Sequence, residues 1–311
     1  MARVGTAAEQ DSFARDGGDV GTRLPSLDSR LSRLARDSRT LLLDGAMGTE
    51  LDRRGVTGRC ACSLTAPEAV LAVHVEYIRA GSEAIITNTL TMNRIFISTH
   101  RLPIDAAAVN RAAAGLARRA MAGRGYVLGN LSSTGLLLEP YGELSERELM
   151  ACYREQAASL AEGGVDGFII ETMMDPREAV CALRACLDAA RLPVLACIAF
   201  DSSRGGGRTV MGSSAEECAR ALEREGASAV GANCGSLDPL EMAVYISVTS
   251  TSIVCLSPDW RKVLETGGIT YDQFVADYLR FISNAIDKPG VAKKTEATES
   301  IAKKTRRKKR A

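Results

Sequence analysis

Gly167-Phe168-Ile169-Ile170-Glu171-Thr172-Met173-Met174-Asp175-Pro176 runs from an unbroken apolar stretch into a polar end and then into a helix start. Small and apolar residues in succession, without the alternation of a half-exposed strand, describe a strand covered on both faces, as in a parallel sheet. Asp175 ahead of Pro176 opens a helix. The carboxylate accepts from free N–H groups of the first turn, and proline at the first position gives up a donor that has no partner there. The helical pattern continues over 176–190, so the unit is strand, polar strand end, helix.

The same unit recurs on either side. Apolar runs at Leu41-Leu42-Leu43, Ala84-Ile85-Ile86, Tyr126-Val127-Leu128, 193–200, Ala229-Val230-Gly231 and Ser252-Ile253-Val254-Cys255 alternate with helical segments. Those segments are 67–80, 105–121, 145–162, 214–225, 239–248 and 271–286. Ser145 three residues before Glu148, and Ser214 three before Glu217, are capping-box starts. Seven strand-helix alternations predict an α/β fold with right-handed crossovers, a (β/α)₈ TIM-type barrel incomplete at the eighth strand. A doubly wound open sheet shares the alternation, although no G-x-G-x-x-G follows the first run.

With 311 residues, 46% of them hydrophobic, the chain can bury one large core. One domain over 39–287 is expected, between a flexible leader at 1–38 and a basic tail at 288–311. The tail holds ten Lys/Arg and two Glu, which leaves 29 basic against 36 acidic residues elsewhere, a net −7. Clustered cations such as Lys303-Lys304-Thr305-Arg306-Arg307 attract phosphates, but a segment with almost no apolar residues reads first as a solvated, disordered tail. Nucleic acid is therefore not the expected partner. Nine cysteines, an odd count and mostly inside apolar runs, read as reduced thiols. No signal-like or membrane-length apolar stretch occurs, so a cytoplasmic protein that does not contact membrane is expected.

Polar residues gather where the strands end: Asp44, Thr87-Asn88-Thr89, Asn130, Glu171-Thr172, Asn233-Cys234-Gly235 and Asp259. In a parallel barrel these ends share one mouth, where such proteins carry their sites. Each residue alone has an ordinary role in a turn, a cap or the core. Their coincidence at every strand end is what points to a site.

Leu41-Leu42-Leu43-Asp44-Gly45-Ala46-Met47-Gly48-Thr49-Glu50 resembles the opening signature of the homocysteine S-methyltransferases. Thr87-Asn88-Thr89, Gly129-Asn130-Leu131, Ile170-Glu171-Thr172 and Gly231-Ala232-Asn233-Cys234-Gly235 follow in that family's order. The stretch from Leu136 to Ser145 is similar to the homocysteine module of cobalamin-dependent methionine synthases. The resemblance implies transfer of a methyl group to the thiol of homocysteine, giving methionine. A thiol is mostly protonated at neutral pH, and metal coordination makes the nucleophilic thiolate. The resemblance accordingly implies a Zn²⁺ held by three cysteine thiolates with one position open. Cys234 matches the first of the three, as metal ligand and catalytic residue. Asp44 and Glu171 match the positions used for the substrate ammonium. Backbone N–H groups of the turn at 45–48, with Gly45 and Gly48, suit the carboxylate. Asn88 and Asn233 complete the candidate substrate contacts.

The family's other two zinc cysteines stand side by side in a Gly-Gly-Cys-Cys-Gly segment. Here the sequence reads Asn284-Ala285-Ile286-Asp287-Lys288-Pro289-Gly290-Val291 and enters the basic tail. Cys255 and the pair Cys60 and Cys62 are the cysteines available as replacements, though the Cys60/Cys62 spacing is unlike that of zinc sites. Asp259 stands where the family has an asparagine. Two expectations follow: a zinc-activated methyltransferase, or a zinc-poor homologue that binds an amino acid or has lost function. No D-x-H-x-x-G signature is present and the histidines number two, His74 and His100. A methyl-corrinoid donor would therefore arrive on another protein in trans, and S-methylmethionine is the small-molecule alternative.

Overall fold

The structure, a computed structural model, describes residues 41–201 and 207–236 and the strand at 253–255. The expected leader, the basic tail, Asp259 and the helices expected at 239–248 and 271–286 lie outside the described residues. The elements run α1 (Met47–Arg53), a 3₁₀ turn (Arg59–Ala61), α2 (Cys62–Thr65), α3 (Pro67–Arg79), β1 (Ala84–Ile86), α4 (Arg94–Thr99), α5 (Ala106–Met121) and β2 (Tyr126–Leu131). They continue with α6 (Glu146–Glu162), β3 (Gly167–Met173), α7 (Pro176–Ala189), β4 (Val194–Phe200), α8 (Ala215–Arg224), β5 (Ala229–Gly235) and β6 (Ile253–Cys255).

Among the described residues six strands, all parallel, lie in the order β1-β2-β3-β4-β5-β6. A doubly wound sheet reverses its strand order at a switch point. This sheet does not reverse, so the chain winds in one sense, as a barrel does. The run Leu41-Leu42-Leu43 lies beside β1 through a single parallel bridge, Leu43 to Ala84, with Asp44 N donating to Ala84 O at 3.1 Å. It is a bridge rather than a ladder because the chain turns away at once into the glycine-rich α1 entry.

Helix starts follow the side-chain chemistry of the sequence. Asp105, Ser145 and Asp175 each accept from a first-turn N–H, and Ser214 forms a reciprocal capping box with Glu217. The sheet separates two apolar layers. Ile85, Val127, Phe168, Ile170, Ala196, Ile198 and Val230 pack against the helices. Ala84, Tyr126, Leu128, Ile169 and Leu195 pack against one another on the other face, with Leu41 and Leu43 beside them. The alternation along each strand thus divides helix-facing from barrel-facing side chains. Phe168 is fully buried, and truncating it to alanine is expected to cost about 3–5 kcal/mol. Among the described residues no helix is long and apolar enough to cross a membrane.

Candidate functional site

The strand ends converge on Glu171. Its Oε1 accepts from Asn130 Nδ2 of β2 at 2.6 Å, and its Oε2 accepts from Asn233 Nδ2 of β5 at 2.7 Å. The second contact reaches over β4 on the barrel-facing side, where strand curvature draws β3 and β5 together. Asn233 cannot turn its amide over, because its Oδ1 accepts from Thr172 N at 2.7 Å. Burial pushes the Glu171 carboxyl up to about 7, against the opposing effect of the Asn130 hydrogen bond.

Asn130 is itself held by a closed ring. Its N–H donates to Thr87 Oγ1 at 2.9 Å, and Thr89 Oγ1 donates to its carbonyl at 2.8 Å. The 2.8 Å contact between the two hydroxyls then has one sense, Thr87 donating to Thr89. Every proton in the ring is assigned, so strand β2 is fixed to the end of β1 at the residue that grips Glu171. Gln156 of α6 adds donors to Thr89 O and Asn130 O at 3.1 and 3.3 Å.

Asp44 is buried beside this group. Both of its oxygens lie 3.1 Å from Ile86 N, and His74 Nδ1 is 3.9 Å from Oδ2. Burial raises its carboxyl well above the ordinary range, the Ile86 N–H opposes that, and the nearby Glu171 charge adds to it. Two carboxyls with raised affinity for protons, sharing one mouth, form a site that gains from a cation.

Cys234 is exposed and carries a left-handed backbone, φ +57°. Asn233 Nδ2 donates to Thr172 Oγ1 at 3.0 Å, and Thr172 Oγ1 donates to Cys234 Sγ at 3.4 Å. Desolvation raises the thiol, the Thr172 hydrogen bond lowers it, and Glu171 raises it. Gly235 follows with φ +73°, and a Cβ there would lie 2.1 Å from Phe200 O, so this turn requires glycine.

The other expected site residues divide. A Cβ on Gly45 would meet the Tyr77 hydroxyl at 2.9 Å, whereas Gly48 faces open space. Asn88 directs its amide to Arg59 O at 2.9 Å and Ser63 Oγ at 3.3 Å, so it ties the segment after α1 to the end of β1. Cys60 packs with Met92, Ile97 and Val109, while Cys62 packs with Leu51, Val70 and Val73. The two thiols therefore sit in separate apolar clusters, and burial raises both. Cys255 is the β6 partner of Ala232, two residues short of Cys234. Among the described residues no group of three or more His, Cys, Asp or Glu is placed to hold a metal ion.

Three parts of this arrangement escape a reading of strand ends alone: Thr172 as donor to the thiol, His74 beside Asp44, and the buried Glu178. Glu178 accepts from Ser133 Oγ, Thr134 N, Thr134 Oγ1 and Tyr153 Oη at 2.8–3.0 Å, which fixes the loop after β2. A signal for it exists. Glu178 lies in register with buried Cys181, Ala182 and Ala185, on the apolar stripe of α7.

A singly wound parallel sheet with amides and carboxyls gathered at its C-terminal strand ends defines a TIM-barrel class of site. The profile of the homocysteine S-methyltransferase family matches residues 41–292, and the chain belongs to that family. It is 28% identical over 229 residues to the methionine synthases of Mycobacterium tuberculosis and Mycobacterium leprae, matches that take in 67% of this chain. It spans only about a fifth of their length, 19% and 18%. Its fold is similar to that of the homocysteine methyltransferase MmuM from Escherichia coli. The metallated form superposes with a TM-score of 0.64 at 21% identity, covering 81% of this chain and 91% of that one. The apo form gives 0.61 at 22% identity, covering 83% and 90%.

Proposed function

We propose that the barrel mouth binds homocysteine and serves methyl transfer to its thiol, giving methionine. The observation that carries this reading is the grip on Glu171. Two amides from β2 and β5 hold its carboxylate at 2.6 and 2.7 Å, next to buried Asp44 and to Cys234. In this reading Asp44 and Glu171 take the ammonium, the backbone of 45–48 with Gly45 and Gly48 takes the carboxylate, and Cys234 stands at the sulfur end. Asn233 orients Glu171, and Asn88 supports the mouth through the segment it anchors. The methyl donor is S-methylmethionine or a methyl-corrinoid protein acting in trans. The protein works in the cytoplasm, without membrane or nucleic acid.

Among the described residues the family's zinc finds no fitting set of ligands. Around Cys234 the nearest donors are the neutral Thr172 hydroxyl and Asn233 amide, and Cys60 and Cys62 are sunk in apolar clusters. One thiolate is fewer than the three protein ligands a catalytic zinc uses. That mismatch favours a second reading, in which the chain binds the amino acid without activating its thiol.

Calorimetry with homocysteine on the full chain, paired with a thiol-methylation assay using S-methylmethionine in zinc-containing buffer, separates the two. Binding with turnover supports the methyltransferase, and binding without turnover supports the amino-acid-binding protein. Absence of binding overturns both.

A further inference from the structure

His74 is a buried titratable group for which the site has so far no use. It lies on α3 in the apolar stripe with Val70 and Val73 and is 0% exposed. Neither ring nitrogen has a hydrogen-bond partner among the described residues. A neutral imidazole offers one donor and one acceptor, and burying both unpaired forfeits their hydration without return. An apolar side chain would fill the space without that loss, so packing does not account for a histidine here.

The ring faces Asp44. Nδ1 stands 3.9 Å from Oδ2, beyond hydrogen-bond length, and burial holds the imidazole down to about 4, so it is neutral. Among the described residues only backbone N–H groups serve the Asp44 carboxyl, Ile86 N equidistant from its two oxygens and the N–H of Asp44 itself beside them. An ionised carboxylate has room for about four donors, so Asp44 is under-supplied once it gives up its proton.

We propose that His74 is a positioning residue for Asp44. When a primary-ammonium ligand enters the mouth, Asp44 releases its proton to solvent and the His74 Nδ1–H closes on Oδ2, leaving Oδ1 to receive the ammonium. The inference rests on the reading of Asp44 as an ammonium acceptor. It fixes the imidazole in the Nδ1–H tautomer and gives the orphaned ring its partner only in the occupied site.

The test uses the full chain, homocysteine calorimetry and ¹⁵N spectra of the imidazoles. The sequence holds two histidines, and His100 is exposed and stacked on Phe96, so a His100→Gln variant isolates the His74 signals. His74→Phe is expected to weaken homocysteine binding about tenfold, the loss of one hydrogen bond to a charged group, while the melting temperature holds or rises. His74→Asn, whose amide nitrogen reaches the Nδ1 position, is expected to retain most of the affinity. Homocysteine is expected to move Nδ1 to a protonated, hydrogen-bonded shift. At saturating homocysteine, an Nδ1 shift unchanged from that of the free protein overturns the pairing. If Asp44→Asn weakens binding but His74→Phe does not, the positioning role falls and the site stands. If Asp44→Asn leaves affinity unchanged, the site reading itself falls. Should the phenylalanine variant fail to fold, the asparagine variant and the spectra decide.

Discussion

Thr172 and Cys234 both hold left-handed backbones, φ +61° and +57°, and they meet through hydroxyl and thiol at 3.4 Å. Each such residue costs roughly 1–2 kcal/mol, more for a β-branched one. The strain sits where β3 and β5 slip register against β4, between Ile170 and Met173 and between Ile198 and Phe200. Asn233 spans the two, accepting from Thr172 N and donating to Thr172 Oγ1, so the strained pair is cross-tied. Strain concentrated at strand ends and held by side chains that themselves grip Glu171 is characteristic of a working site.

Replacing Thr172 with valine keeps the β-branched shape and the backbone strain but removes the one O–H aimed at the Cys234 sulfur. Because that hydrogen bond opposes the rise caused by desolvation, its loss is expected to raise the Cys234 thiol further. Cys234 is the one exposed cysteine among the described residues, so iodoacetamide should label it first. The midpoint of the alkylation rate against pH is expected to move upward in Thr172→Val. A midpoint unchanged from wild type would deny Thr172 a role at the thiol.

Glu171 makes stability and binding respond to pH in opposite directions. Its carboxyl in the folded chain titrates at about 7, above its ordinary 4.5, so between those values the folded state holds a proton that the unfolded state has released. Its contribution to stability is therefore fully present below about 4.5 and is lost as pH rises through 7, by at most about 3 kcal/mol. An ammonium ligand prefers the ionised form, so homocysteine affinity should rise over the same interval. Denaturant melts and calorimetry at pH 6 and pH 8 read the two trends. Glu171→Gln should flatten both and weaken binding by roughly 1.5–3 kcal/mol. The variant should fold, because Asn130 Oδ1 has no partner among the described residues and its amide can turn to accept from the new Gln amide. Unchanged affinity in this variant would reassign Glu171 to a structural role.

Much of this is written in the sequence in a form that local rules can read. The helix starts at Asp105, Ser145, Asp175 and Ser214 are side-chain hydrogen bonds within three residues, and the parallel sheet follows from runs such as 167–170 that are apolar on both faces. The short elements α1, α2 and α4 were not legible, because four to seven residues are too few to display a helical period. The grip on Glu171 was not legible either. Asn130 and Asn233 stand 41 and 62 residues from it in the chain, and their meeting depends on sheet curvature, which no local pattern encodes. His74 was hidden for a different reason. At helical spacing from Val70 and Tyr77 it reads as an ordinary core position, and only the orphaned nitrogens distinguish it.

The ring through Thr87, Thr89 and Asn130 should carry stability as well as position. Thr89→Val removes the donor to Asn130 O and strands the Thr87 hydroxyl in a buried place, where both threonines are almost wholly enclosed. Thermal or urea denaturation is expected to show a loss of about 1–3 kcal/mol. Homocysteine affinity should fall less than in Glu171→Gln, since Gln156 still donates to Asn130 O. A variant as stable as wild type would mean that the ring contributes nothing net.

The last prediction concerns the metal. A catalytic zinc keeps three protein ligands, and ligand bonds supply most of the free energy that retains it. Cys234 offers one thiolate, its hydrogen-bonding neighbours are neutral, and the one cysteine that follows it in the sequence, Cys255, pairs in the sheet with Ala232 rather than with the Cys234 turn. The chain is therefore expected to hold well under one zinc per molecule by elemental analysis and, without added zinc, to methylate homocysteine slowly or not at all. Replacing the residues after about Ile282 with a strand carrying an adjacent cysteine pair should restore zinc to near stoichiometry and turnover with it. A strand that pairs with its neighbours would add ladder hydrogen bonds, so the melting temperature should rise in the same variant. Cysteine-to-serine changes within the added pair should then remove metal and activity while leaving that gain in stability. Stoichiometric zinc in the unaltered chain, lost on Cys255→Ser or Cys62→Ser, would show instead that the site is built from thiols assigned here to the sheet and the core.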